Sequence, residues 1–370
     1  MLRSLSLLVA SISLTFGSTA LADIKIGHYG SLTGSEATFG QSTSNGIKMA
    51  INEINDAGGI NGEKVVLVEY DTKGDATEAG NVVTKLVTSD RVVAVLGEVA
   101  SKLSMVGAPI CQDNKVPMIS PSSTNPKVTE GRDFIFRVCF IDPFQGLVCA
   151  KFAYDDLKAK TAAILVDQNS TYSIGLADEF EKNFKSLGGS ISTRVTYTAG
   201  DQDFSSRLTG VRASNPDIIF VPGYYTDVAN IAIQARKLGM KQPLLGGDGW
   251  DSAELTKIGQ DAIEGSFYSN HAAPDDPSMA EFVTRYADEH GDTPDALGAL
   301  GYDAAMVLFD AIKRAGTTDG EKLKQALAAT KDFSGVTGLI NFNENRDAVK
   351  PAVILEIKGG KPVFRARINP

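Results

Sequence analysis

The sequence predicts an α/β fold of two mostly parallel sheets, each flanked by helices. Short apolar runs alternate with stretches whose apolar residues recur at helical spacing. The alternation then breaks and starts again, which calls for a second sheet. At 370 residues, 43 % hydrophobic and 22 % charged, the chain is long enough for two domains.

The elements follow in order. "IKIGHYG" (24–30) reads as a buried strand ending in a glycine turn, and Ile47, Ile51 and Ile54 mark a helix stopped by Gly58-Gly59. "KVVLVEY" (64–70) is a strand, and Ala79, Val82, Val83 and Leu86 a helix. "VVAVL" (92–96) is a strand, and Leu103, Val106 and Ile110 a helix. "VPMISPSSTNP" (116–126) passes from a short strand into a run of hydroxyls. The composition Ser-Pro fits a turn, but hydroxyls at a strand end can also serve a ligand. "FIDPFQG" (140–146), interrupted by Pro143, is the expected junction.

The second series begins with "TAAILVD" (161–167), followed by Leu176, Phe180, Phe184 and Leu187 at helical spacing. "IIFVPG" (218–223), "PLLGGDG" (243–249) and "GSFYS" (265–269) are further strands. Helices around 279–290, 298–315 and 320–329 have no comparable strands between them. "PAVILEIKGGKPVFRARI" (351–368) reads as a hairpin turned at Gly359-Gly360.

The ends and the bulk charge narrow the setting. Residues 1–22 carry one charge, Arg3, and an apolar stretch too short to span a membrane comfortably, closing on "ALA". This is the pattern of a signal peptide cleaved before Asp23, with no cysteine after it to take a lipid. Loss of Arg3 takes the formal charge from −9 to −10, which disfavours nucleic acid as a partner. Of Cys111, Cys139 and Cys149, two could pair after export, or all three could be buried thiols.

Ligands of open parallel sheets bind beyond the carboxyl ends of the strands. Those ends are Gly97–Ser101 and Ser120–Thr124 in the first half, and Asp167–Tyr172, Gly223–Tyr225 and Gly246–Asp248 in the second. One half offers hydroxyls and helix starts, the other tyrosines and a carboxylate. Catalytic signatures do not accompany them. The sequence lacks a G-x-S-x-G elbow, a P-loop and a complete G-x-G-x-x-G. The three histidines, His28, His271 and His290, lack metal-ligand spacing, so no metal and no cofactor are expected. His28 reads as structural.

"GSLTGSEATFGQSTSNGIKMAINEINDAGGINGEKVVLVEYDTKGDATEAG" resembles the opening of the periplasmic leucine/isoleucine/valine-type binding proteins of ABC transporters. "VPMISPSSTNP", "DFSSRL", "NPDIIFVPGYYTDVANIAIQARKLGM", "LLGGDGWDS" and "GYDAAMVLFDAI" are similar to later blocks of that family, in the same order. The resemblance implies the type I two-lobed fold with three interlobe crossings. One lobe would hold 23–141 and 271–346, the other 142–270 and 347–370. It implies a monomer that is not an enzyme and passes an amino acid, aliphatic or small and polar, to a transmembrane permease. A ligand such as an amide, urea or an organic acid, or a sensing role, is the alternative.

Carried over residue by residue, the resemblance assigns Ser101 to the ligand carboxylate, with Ser122 and Thr124 adding main-chain and hydroxyl groups. Tyr172 and Tyr224 would approach from the second lobe, and Asp248 would pair with the ammonium. Phe39 replaces a tyrosine near the mouth, and Tyr302 is a looser match. Two residues depart from the family pattern. Asp248 stands for a glutamate, one methylene longer, and Glu98 adds an anion beside Ser101 that is expected to face solvent. Gly74 and Ala100 occupy the places of the family's disulfide cysteines.

Overall fold

In the computed structural model, which describes residues 23–370, the first sheet is parallel throughout, in the order β2-β1-β3-β4-β5. The expected signal peptide lies outside the described residues. The strands are β1 (Ile24–Gly30), β2 (Val65–Asp71), β3 (Ala94–Leu96), β4 (Met118–Ser120) and β5 (Ile135–Arg137). β1 has a strand on each side and is buried at every position but Lys25, which is why it reads as a continuous apolar run. Helices α1 (Ala37–Asp56), α2 (Ala76–Lys85) and α3 (Ser101–Asp113) connect the strands. α2 starts cleanly because the Asp75 carboxylate accepts the N–H groups of Thr77 and Glu78.

The chain then enters α4 (Asp142–Lys151) and builds a second sheet, ordered β14-β13-β10-β9-β8-β6-β7. Its parallel strands are β6 (Thr161–Asp167), β7 (Ser190–Tyr197), β8 (Ile218–Phe220), β9 (Leu244–Gly246) and β10 (Phe267–Asn270). Helices α5 (Thr171–Ser186), α6 (Ser205–Ser214), α7 (Tyr225–Lys237) and α8 (Ala253–Gly259) cover it. Three late helices, α9 (Ala280–His290), α10 (Ala296–Ala315) and α11 (Gly320–Ala328), pack into the core of the first sheet with Ile26, Ile47, Ile51 and Leu96. The short pair β11 (Phe333–Gly335) and β12 (Gly338–Ile340) follows. The closing hairpin of β13 (Ala352–Lys358) and β14 (Lys361–Ile368) turns at Gly359-Gly360 and joins the second sheet antiparallel through β10.

The return of α10 is written in glycine. A Cβ at Gly46 would lie 1.9 Å from the Gly298 carbonyl oxygen, and one at Gly301 would lie 2.4 Å from that of Thr43. The backbones of α1 and α10 therefore touch, and the first turn of α10 is held at the cleft. Three connections join the two sheets: the chain after β5, the chain after β10 and the chain before β13. The last leaves the first body later than residue 346. Asp347 is bridged to Arg137 at the end of β5, and Ala348 belongs to the first core.

Strands β5, β7, β11 and β12 are additions to the sequence reading. β5, β11 and β12 have three residues each, and β7 is an edge strand whose residues alternate between half-buried and exposed. The three cysteines are separate buried thiols. His28 is buried, with Nδ1 2.9 Å from the Glu69 carboxylate, so it serves the first sheet and not the cleft.

Candidate functional site

The carboxyl ends of both sheets face one another across a cavity. Its lining is Phe39, Val99, Ser101, Ser122, Thr124 and Leu297 from one side, and Tyr172, Tyr224, Asp248 and Gly249 from the other. Seven of the eight residues singled out in the sequence are thus brought together.

The hydroxyl run after β4 divides its work. Ser120 Oγ and Ser123 Oγ donate to the Glu98 carbonyl at 2.8 and 2.9 Å, tying this loop to the one before α3. Ser122 Oγ and Thr124 Oγ1 are buried without a protein partner, at the cavity. From beneath, the buried Arg137 guanidinium donates to the carbonyls of Ser123 (2.5 Å) and Asn125 (2.9 Å), and its Nε lies 2.6 Å from Asp347. The loop is therefore held by a paired buried cation. Ser101 begins α3, so the first N–H groups of that helix lack intrahelical acceptors and its dipole favours an anion there.

Opposite stands Asp248, in the turn after β9. Gln145 Nε2 donates to its Oδ1 at 2.8 Å, and His271 Nε2 lies 3.1 Å from its Oδ2. His271 is the only basic side chain within ion-pair distance of it among the described residues. A carboxylate offers about four acceptor positions, so capacity remains toward the cavity. The glycines around Asp248 serve packing. A Cβ on Gly247 would lie 2.4 Å from Tyr172 Oη, and one on Gly249 would lie 2.8 Å from both the Gly223 oxygen and Tyr224 Cδ1. With that room, the Gly249 N–H donates to Tyr172 Oη at 3.1 Å. The rings of Tyr172 and Tyr224 stack 5.5 Å apart, and Phe39 meets Tyr224 edge-on at 5.4 Å.

Beneath Thr124, Asp142 is fully buried with neither carboxyl oxygen partnered. Burial pushes its carboxyl up to about 8, with the Thr124 hydroxyl opposing this and Asp248 adding to it.

Two expectations are corrected. Tyr302 is away from the cavity: it donates to Glu53 at 2.7 Å and packs on Phe282, whereas α10 reaches the cavity through Leu297. Glu98 does not face solvent. It is 1 % exposed and accepts from Ser31 (2.8 Å), Thr72 (3.2 Å) and the Ala100 N–H (2.7 Å), bracing the turn before α3. Burial holds its carboxyl above the usual range against those bonds. Val99 lies in the Gly97–Ser101 loop expected at the cleft, and Gly249 beside Asp248 was expected to let a ligand approach; Leu297 was not anticipated, nor were Gln145 and His271 behind Asp248. Leu297 is the first large apolar residue after the Asp295 cap of α10, the one local signal that could have placed it.

The two bodies also meet around the cavity. Tyr225 Oη donates to the Ser35 carbonyl at 2.8 Å, Asn125 Nδ2 to that of Thr171 at 2.9 Å, and the Ala296 N–H to Asp251 at 2.8 Å.

Two sheet-based bodies, joined by three connections and meeting over a cavity with polar groups at its two ends, define a ligand-binding clamp. The chain belongs to the periplasmic binding protein family, whose sequence model matches residues 23–361. It is 44 % identical to a leucine binding protein from Thermotoga maritima MSB8, at a TM-score of 0.90 with 94 % of this chain and 99 % of that one covered. A branched-chain amino acid transporter substrate-binding protein from Streptococcus pneumoniae, solved with isoleucine, is 33 % identical at a TM-score of 0.88, covering 94 % and 99 %. The leucine-, isoleucine-, valine-, threonine- and alanine-binding protein of Pseudomonas aeruginosa is 32 % identical over 350 residues, 93 % of each chain. No helix among the described residues is long and apolar enough to cross a membrane.

Proposed function

We propose that this chain is a periplasmic solute-binding protein that captures one amino acid in the cavity and presents it to the permease of an ABC importer. The observation that carries this reading is Asp248: a buried carboxylate at the cavity, held by Gln145 and His271 and paired with no lysine or arginine among the described residues. Burying a charge without a partner is costly, and an ammonium supplies that partner. The other pole of a zwitterion finds Ser122 and Thr124 hydroxyls without protein partners and the start of α3. Between the poles, Val99, Phe39, Leu297 and the tyrosine rings offer an apolar wall for an aliphatic side chain.

The two poles lie on different bodies, so the ligand binds the closed arrangement better than the open one and shifts the population toward it. The moving lobes are 23–141 with 271–348, and 142–270 with 349–370. The protein works as an exported monomer after loss of residues 1–22, without a metal, cofactor or nucleic acid.

A thermal-shift screen tests this reading, because a ligand specific to the folded state raises the melting temperature. Leucine, isoleucine, valine or another small amino acid is expected to raise it, and benzoate and urea are not. A panel in which only acids without an amine stabilise the protein refutes the proposal.

A further inference from the structure

We propose that His271 is a positioning residue of the amino-acid site: as a neutral Nε2–H donor it fixes the Asp248 carboxylate and leaves that carboxylate's charge to the ligand ammonium. This rests on the amino-acid reading above.

The geometry is specific. His271 follows β10 on the second connection between the bodies and is buried. Its ring lies on Phe140 of the first connection, with centroids 3.9 Å apart. Nε2 is 3.1 Å from Asp248 Oδ2, while Nδ1 is buried without a partner. A carboxylate oxygen needs a donor, so Nε2 carries the hydrogen. A second hydrogen on Nδ1 would be a buried donor without an acceptor, whereas the neutral tautomer leaves only a lone pair there. The other group on Asp248, the Gln145 amide, is neutral as well. Both supports therefore orient the carboxylate without neutralising it.

The surrounding charges favour the same state. The ionisable groups around the imidazole are Asp248 on the turn after β9, Lys350 on the third connection, and the Asp276–Arg367 pair lining the space behind the ring, while Asp142 and Asp251 face Asp248 from its other sides. Burial holds the imidazole below its ordinary value of 6.5, Lys350 adds to this, and Asp248 opposes it. Acid therefore has a defined effect. An imidazolium at His271 pairs with Asp248 and competes with the ligand ammonium, so binding weakens as His271 takes up its proton.

Imidazole nitrogen NMR reads the tautomer directly, in a chain with only three histidines. His271 in the ligand-free wild type at pH 7 is expected to be neutral with hydrogen on Nε2. A protonated ring or an Nδ1–H tautomer overturns the proposal. Calorimetric titration with leucine from pH 8 to pH 5 adds a second test. The wild-type Kd is expected to rise below the His271 pKa, by up to about tenfold per pH unit, as expected for one competing proton. His271→Phe removes the donor and is expected to weaken binding at pH 8 by roughly ten- to a hundredfold. His271→Gln restores a donor that does not titrate, and is expected to recover part of that loss while its Kd lacks the acid-dependent rise. Identical pH profiles for wild type and His271→Gln overturn the proposal. Failure of wild type to bind leucine at any pH counts against the amino-acid reading instead, and the ligand-free tautomer still decides the role of His271.

Discussion

Replacing Asp248 with asparagine separates a ligand contact from a turn residue. As a turn former, Asn substitutes well for Asp. As the partner of a buried ammonium it fails. In the structure both carboxylate oxygens accept, one from Gln145 and one next to His271. Asn keeps one acceptor and turns a donor toward the other neighbour, so one of these bonds is lost with or without ligand. The larger effect falls on the bound state, where the ammonium loses its counter-charge. Removing one partner of a buried pair costs roughly 3–5 kcal/mol, which is about a thousandfold in affinity at 1.4 kcal/mol per decade. Calorimetry with the best ligand of the thermal-shift panel gives the affinities, and melting without ligand checks folding. Two folded proteins with affinities within about threefold of each other refute the ammonium role of Asp248.

Other outcomes follow from the same geometry. Ser101→Ala is expected to weaken binding by roughly 1.5–3 kcal/mol, the size of a hydrogen bond to a charged group; unchanged calorimetric affinity moves the carboxylate elsewhere. Asp295, which caps α10 beside Asp251, has its carboxyl lifted from 3.8 to about 7 by burial and by that neighbour. The folded chain then holds a proton that the unfolded chain releases, so this group's contribution to stability falls as pH rises from about 4 to 7. Asp295→Asn is expected to raise the melting temperature at pH 8 and to change it little at pH 3.5; equal shifts at both pH values contradict that assignment.

What could be read in the sequence followed from one rule, that loops at the carboxyl ends of parallel strands converge. Ser101, Ser122, Thr124, Tyr172, Tyr224 and Asp248 all sit on such loops or on the first residues after them. The rule says which loops meet, but not which way a side chain points. Glu98 and Ser101 are three residues apart, yet only Ser101 reaches the cavity, because the Ala100 N–H and two hydroxyls draw Glu98 into the first sheet. Tyr302 failed for a helical reason. Leu297 and Tyr302 are five residues apart, about 140° around α10 at 3.6 residues per turn. With Leu297 at the cavity, Tyr302 faces α1 and α9. His271 and Gln145 were out of reach because their common partner is 23 and 103 residues away. A lone histidine after a strand carries no mark of such a contact. The short strands β5, β11 and β12 lack the longer apolar run that marked the equally short β3, β4 and β8: Arg137 cuts β5, and Ser334 and the glycines break β11 and β12.

The central claim is that the cavity holds both poles of one amino acid, and a matched pair of ligands tests it most directly. Leucine and 4-methylpentanoate share the carboxylate and the aliphatic chain and differ in the amine. The account predicts, by calorimetry at pH 8, that leucine binds and that 4-methylpentanoate binds at least about a thousandfold more weakly, since Asp248 is then left without its cation. Equal affinity for the two, or preference for the acid, would contradict it.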